Sequence, residues 1–226
     1  MTGRWGFYLY NGFPESGKTW KARDRATERA RETGAPILVI MRERDDDNFK
    51  DIPEARSIEE ACRRVWEEGQ HTRIKAETPL EVNQLCGVAR DQRNVILIID
   101  GIWDCLKGQF PQPNVNELVR AGRHYDVDLH GTSQVLGDFA KVAKSCALEV
   151  YQFLETDGDD LLQLEKRFGF KPEEIRALPK RKFLFWSRTE LWAKNAASQK
   201  KNLAENLKKS KTPPPAGPPP KSSRKP

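Results

Sequence analysis

Short, wholly apolar runs alternate along this chain with longer segments in which apolar residues recur every three or four positions. Phe7-Tyr8-Leu9-Tyr10, Ile37-Leu38-Val39-Ile40 and Val95-Ile96-Leu97-Ile98-Ile99 are the clearest of the short runs. Consecutive aliphatics with no polar alternation predict strands covered on both faces. Val127 to Thr132, Leu148 to Phe153 and Lys182 to Trp186 predict three more. Between them, Lys18 to Arg31 is rich in Ala, Arg and Glu and is stopped by Gly34 and Pro36, which predicts a helix. Ser57 followed by Glu60 opens a second helix, Ser57 to Glu67, and Pro79 in the first turn opens a third, Thr78 to Arg90. Strands alternating with helices predict an α/β fold, a mostly parallel central sheet flanked by helices in three layers. The 226 residues suffice for one such domain and not for two.

The pattern changes near residue 190. Thr189 to Lys209 reads as one exposed helix with only sparse leucines, Leu191, Leu203 and Leu207. The run Pro213 to Pro220, with Ala216 and Gly217 inside it, cannot build a core and favours extended conformers. The expected organisation is a domain over residues 1–190, a basic helical extension over 191–210 and a disordered Pro/Lys-rich tail over 211–226. Charge follows the same division. The whole chain carries +6, while residues 200–226, with eight basic residues and one acidic, carry +7. The surplus sits in the tail, where it suits sequence-independent contact with nucleic acid, an acidic protein surface or simple solubility. No apolar run approaches the roughly 20 residues that span a bilayer, and Met1 to Arg4 carry no cleavable signal, so the chain reads as cytosolic. Four cysteines (Cys62, Cys86, Cys105, Cys146) and three histidines (His71, His124, His130) fall at no metal-ligand or redox spacing.

Chemistry enters at Gly12-Phe13-Pro14-Glu15-Ser16-Gly17-Lys18-Thr19, with Trp20 after it, directly following the first strand and opening the first helix. This is a full phosphate-loop pattern. Gly12 and Gly17 permit a tight turn whose N–H groups converge on phosphate oxygens, and the helix start adds its positive end. Lys18 supplies a cation to the outer phosphates, and the Thr19 hydroxyl is placed to ligate Mg²⁺. Asp100 ends the most apolar strand, at the edge where α/β sheets bind ligands, and is the expected second holder of the Mg²⁺ shell. A third segment, Arg120-Ala121-Gly122-Arg123-His124-Tyr125, leads into a strand finishing in Thr132-Ser133-Gln134.

Loop, Asp100 and the Gly-Arg-His-Tyr…Thr-Ser-Gln segment together closely resemble the HerA/FtsK superfamily of DNA-pumping ATPases, in particular the small genome-packaging ATPases of tailless icosahedral viruses with an internal membrane. The resemblance covers about residues 6–155. It implies a RecA/HerA-FtsK-like P-loop NTPase fold and an ATPase that packages double-stranded DNA into a preformed capsid. It implies ATP and Mg²⁺ as cofactors, a homo-oligomeric ring (hexamer or pentamer), a capsid vertex protein as partner, and a place in the host cytoplasm or at the packaging vertex. By the same resemblance Lys18 and Thr19 bind phosphate and metal, Asp100 coordinates the metal's water shell, and Gln134 senses the γ-phosphate. Arg123, or else Arg120, reaches a neighbouring subunit's site as an arginine finger. The sequence departs from the pattern at Gly101, where relatives carry a Glu as base. Asp104, Glu117 and Glu15 are the candidate replacements, in that order.

DNA contact is expected from the polar loop Arg42 to Lys50 or from Lys180-Arg181-Lys182, with ordinary solvated surface as the alternative for each. Phe183, Phe185 and Trp186 are expected in the core. Other readings stay open: an assembly or export ATPase similar to the zonula-occludens-toxin-like phage proteins, a small P-loop kinase with Arg181 or Arg188 in a lid, and a nucleotide-dependent scaffold.

Overall fold

The computed structural model describes residues 5–42, 47–107, 111–136 and 139–190. Contacts divide the chain into residues 1–188 and 189–226, and the fold below belongs to the first. The expected extension and tail, 191–226, lie outside the described residues, as does the middle of the Arg42 to Lys50 loop.

In chain order the elements are β1 (Phe7–Asn11), α1 (Lys18–Thr33), β2 (Ile37–Met41), β3 (Glu54–Ala55), α2 (Ile58–Cys62, continuing as a π turn over Arg63–Glu67), β4 (Thr72–Lys75), α3 (Pro79–Gln92), β5 (Val95–Ile99), α4 (Trp103–Leu106), α5 (Pro113–Ala121), β6 (Val127–Ser133), α6 (Phe139–Cys146), β7 (Ala147–Gln152), α7 (Gly158–Phe168), α8 (Pro172–Arg176) and β8 (Leu184–Ser187). They form one eight-stranded sheet in the order β3-β4-β2-β5-β6-β1-β7-β8. Every neighbouring pair is parallel except β7 with β8. Local chemistry explains the predicted ends. Ser57 accepts from Glu60 N, Thr78 and Glu81 close a capping box, and Gly34 ends α1 in the left-handed conformation.

Two cores cover the two faces. Leu9, Leu38, Ile40, Leu97, Ile99 and Leu129 face α3, α5 and α7, whereas Tyr8, Tyr10, Val39, Ile96 and Ile98 face α1. The five residues of β5 are fully buried and divide between the faces; each contributes roughly 1.5–3 kcal/mol of transfer free energy.

The α1 face is built differently from the other. Helix α1 buries only Ala22, Ala26, Lys18 and Arg29, so it approaches the sheet closely and meets polar groups there. Arg29 Nε donates to Asp128 Oδ2 at 2.7 Å with both side chains at or below 1% exposure, and Gly6 N donates to Asp128 Oδ1 at 2.8 Å. Arg25 pairs with Glu149 at 2.9 Å. His130 stacks on Tyr8 with ring centroids 4.5 Å apart, and its Nδ1 lies 2.8 Å from the Tyr10 hydroxyl. Burial drives the His130 pKa well below its usual value, so the ring is neutral. Burial likewise pushes the Asp128 carboxyl up, to about 6, against the opposing pull of Arg29.

Removing one partner of a buried pair strands the other charge. Asp128→Ala should therefore cost about 3–5 kcal/mol in urea unfolding, and the joint replacement Arg29→Met with Asp128→Leu should recover much of it. A single-variant loss below about 1 kcal/mol would place this pair among the dispensable surface bridges.

Candidate active site

The loop between β1 and α1 is shaped by its glycines. Gly12 sits at φ 142°, and a Cβ there would come 2.8 Å from Leu154 O. Gly17 sits at φ 111°, and a Cβ there would meet Arg181 Cα at 3.2 Å. Both conformations suit glycine alone, and at Gly12 the close approach of backbone excludes a side chain independently of φ. The loop is tied at both sides: Gly12 N donates to Ser133 O at 3.2 Å, and Phe13 N to Leu154 O at 2.8 Å. Lys18 is buried and its Nζ donates to Phe13 O at 2.7 Å, folded back over the loop. Burial lowers the Lys18 ammonium to about 8, against the raising effect of Asp100 and Glu155.

Strand pairing brings the other predicted residues to this loop. β6 lies between β1 and β5, with Asn11 opposite Ser133 and Ile99 opposite Gly131. Asp100 therefore stands beside Thr132, and Gln134 follows at the level of Gly12. Thr132 Oγ1 donates to Asp100 Oδ1 at 2.5 Å and accepts from Gly101 N at 3.0 Å, fixing both carboxylate and turn. Ile102 N donates to Thr132 O at 3.0 Å, and Gly131 leaves room for Ile102, since a Cβ there would lie 2.8 Å from its side chain. Ser133 Oγ turns the chain by donating to Val135 O at 2.5 Å, which leaves Gln134 exposed in the cleft.

These strand ends border a cleft of about 1010 Å³. Pro14, Glu15, Gly17, Lys18, Thr19, Trp20, Asp100, Asp104 and Gln134 all line it. Gly12, Phe13 and Ser16 shape the loop without lining the cleft. Three features have no place at the site in the ATPase reading of the sequence, although Arg181 is a lid candidate in the kinase alternative. Thr132 is the clamp just described. Arg42, at the end of β2, lines the cleft and pairs with Asp104 at 2.5 Å. The Lys180-Arg181 turn lies against the loop, with Arg181 N donating to Ser16 O at 2.8 Å and Lys180 Nζ 3.8 Å from Glu15. Arg181 holds a left-handed backbone, φ 64°, uncommon for a side-chain-bearing residue.

Other candidates lie elsewhere. Arg123 is exposed in a short 3₁₀ turn ahead of β6, beside Trp5 and Arg188. The seven residues of β6 separate it from its own cleft by roughly 20 Å. Glu117 pairs with Arg90 at 3.1 Å and accepts from Tyr125, and it does not line the cleft. Phe185 is 42% exposed on β8, contrary to the expectation of a core position, because β8 is the sheet edge and its outer face has no covering element among the described residues.

The donors present fit a magnesium nucleotide in one specific way. Among the described residues no group of three His, Cys, Asp or Glu could hold a metal by itself. Thr19 and Asp100 do border one cleft, a hydroxyl and a carboxylate, the hard oxygen donors that Mg²⁺ uses together with water and substrate phosphates.

The order of strands, the phosphate loop and the acid on the strand next but one define a P-loop NTPase fold, and known structures agree. The genome packaging NTPase B204 from Sulfolobus turreted icosahedral virus 2, solved in complex with AMP, has a TM-score of 0.65 at 16% identity over 82% of this chain and 94% of that one. The same protein in complex with ATP-γ-S scores 0.65 at 15% identity, over 82% and 93%. EccC of Thermomonospora curvata (ATPases 2 and 3) scores 0.53 at 14% identity, over 82% of this chain and 35% of that one. These likenesses bear out the resemblance at the level of fold. No protein-family model matches the chain, and no curated protein is detectably similar to it in sequence.

Only the ammonium form of Lys18 attracts phosphate oxygens. Affinity for a nucleoside triphosphate should therefore be level at neutral pH and fall as pH rises through about 8, the value at which burial holds this group. Calorimetric titrations giving the same affinity on both sides of that value would contradict the assignment of Lys18 to phosphate.

Proposed function

We propose that this chain is an ATP-hydrolysing motor that moves double-stranded DNA into a viral capsid as a ring of identical subunits. The observation that carries the proposal is the convergence of the phosphate loop, Asp100 and Gln134 on one cleft from β1, β5 and β6. Support also comes from the shared fold with a genome packaging NTPase along nearly that protein's whole length.

Each residue has a task in this reading. N–H groups of residues 12–19 and the α1 start receive the phosphates, and Lys18 neutralises their charge. Thr19 and Asp100 hold Mg²⁺, which when bound offsets charge on the phosphates. Gln134 orients the attacking water. Arg123 lies too far from its own cleft to serve it, which suits a role in an adjacent copy's site. An arginine finger of that kind is worth about 10³–10⁵ in rate. Basic surface and the 200–226 segment give salt-dependent, sequence-independent hold on DNA. No helix among the described residues is long and apolar enough to cross a membrane. In this reading the chain works in the host cytoplasm or at the packaging vertex.

Phosphate release from ATP, measured with and without linear duplex DNA, tests the proposal. DNA should stimulate the wild-type chain, and Lys18→Ala should lower the rate by at least about 100-fold. Subunits carrying Arg123→Ala should depress the activity of wild-type subunits mixed with them. Turnover that requires a small phosphate acceptor and ignores DNA would assign the chain to the kinases instead.

A further inference from the structure

Hydrolysis needs a group near the attacking water to take its proton, and position 101 does not provide one. Gly101 stands at φ +74°, where a glutamate would be strained, so the turn is built for glycine. A Cβ there would lie 3.9 Å from Asp104 Oδ2. The Asp104 carboxylate thus borders the point at which a side chain from 101 would begin. Asp104 is in the first turn of α4 and faces the same cleft as Lys18, Thr19, Asp100 and Gln134.

The acids lining the cleft among the described residues are Glu15, Asp47, Asp100 and Asp104. Asp100 is clamped by Thr132. Glu15 and Asp47 stand at the rim, their side chains 88% and 85% exposed. Glu155 is buried, yet it does not line the cleft, and its Oε1 accepts from Thr156 N and Asp157 N. Asp104 alone combines partial burial with the right wall.

Its partners show how it is held. Lys107 Nζ lies 2.6 Å from Oδ1, and Arg42 Nη1 2.5 Å from Oδ2. Lys107 caps the carboxyl end of the same helix and is exposed. Arg42 directly follows β2, the strand beside β5, is only 13% exposed, and lines the cleft. Its Nη1 approaches Asp104 without hydrogen-bond alignment, and its Nε has no acceptor among the described residues. Buried donors without acceptors are costly. An arginine in that condition on the wall of a phosphate cleft is matched by phosphate oxygens, which take its fork of donors two at a time.

We propose that Arg42 and Asp104 form a substrate-gated base. Asp104 is the catalytic carboxylate, and Arg42 restrains it until the terminal phosphate of ATP draws the guanidinium away. The proposal rests on the nucleotide-site reading above and adds to it the residue that replaces the missing glutamate and the cation that controls it. In the step, the water oxygen bonds to the γ-phosphorus while the bond from that phosphorus to the β,γ-bridging oxygen breaks. ADP leaves with that electron pair, inorganic phosphate forms, and the water's proton passes to Asp104. Coupling the base to the γ-phosphate makes the carboxylate available only when there is a bond to cleave.

The test uses the whole 226-residue chain and two readouts, calorimetric binding of ATP-γ-S and of ADP, and phosphate release from ATP. Asp104→Asn should bind ATP-γ-S at least as tightly as the wild type, because Arg42 is then released to the phosphate, and hydrolyse ATP about 10²–10⁴-fold more slowly, with Asp104→Glu recovering part of the rate. Arg42→Gln should weaken ATP-γ-S about tenfold and leave ADP affinity unchanged, because ADP lacks the phosphate that Arg42 meets, and Arg42→Lys should restore part of the difference. Wild-type hydrolysis by Asp104→Asn, or equal weakening of both nucleotides by Arg42→Gln, would overturn the proposal. A wild-type chain that binds neither nucleotide would remove the underlying reading, and the gate with it. Variants that fail to bind for want of folding are recognised by lost circular dichroism, and the Glu and Lys replacements then carry the test.

Discussion

Parallel pairing of β6 between β1 and β5 puts three carboxyl-terminal strand ends side by side, and the cleft is built on that juxtaposition. Because the three strands run the same way, their register decides which residues meet: Ile99 opposite Gly131 sets Asp100 beside Thr132, and Asn11 opposite Ser133 sets the loop beside Gln134. Thr132 turns that register into fixed geometry by bonding at once to the Asp100 carboxylate and to the amide of Gly101. A slip of one residue would send Thr132 to the opposite face and release the acid. The long crossing of α1 from β1 to β2 enforces the arrangement, since it packs over β5 and β6 on the way.

That crossing also accounts for the odd composition of the α1 face. A helix lying close over two strands needs small residues, and Ala22 and Ala26 supply them. The remaining contacts are polar, Arg29 with Asp128 and Arg25 with Glu149, beneath stacked Tyr8, His130 and Tyr10. Such pairs contribute little net stability compared with apolar packing and much to holding one arrangement, since a misplaced α1 would leave buried charges unpaired.

The sequence made the central strands and the loop legible because their signals are local. Five aliphatics in a row, a capping serine three residues from a glutamate and a glycine-lysine-threonine at a helix start each depend on neighbours in the chain. What stayed hidden depends on distant partners. β4 has only four residues with alternating burial, and β3 only two, too short for a periodic signal. Asp128 and His130 look like polar strand residues until Arg29 and Tyr10 are placed against them. Thr132 was visible inside the Thr-Ser-Gln triplet, but its bond to Asp100 required the pairing of strands 32 residues apart. Arg42 read as part of a mixed-charge loop and Lys180-Arg181 as a basic cluster, and only the fold brings both to the cleft. Phe185 followed the expected alternation but met solvent, because its strand closes the sheet.

The proposed function turns on the loop of residues 12–19 receiving a triphosphate on its backbone amides. Hydrogen exchange of residues 12–19, with saturating Mg²⁺ and ATP-γ-S and without them, measures this directly. Strong slowing there, extending to Gly101 and to the residues after Ser133, is the expected result. Unchanged exchange through the loop, with slowing confined to some other part of the chain, would contradict it.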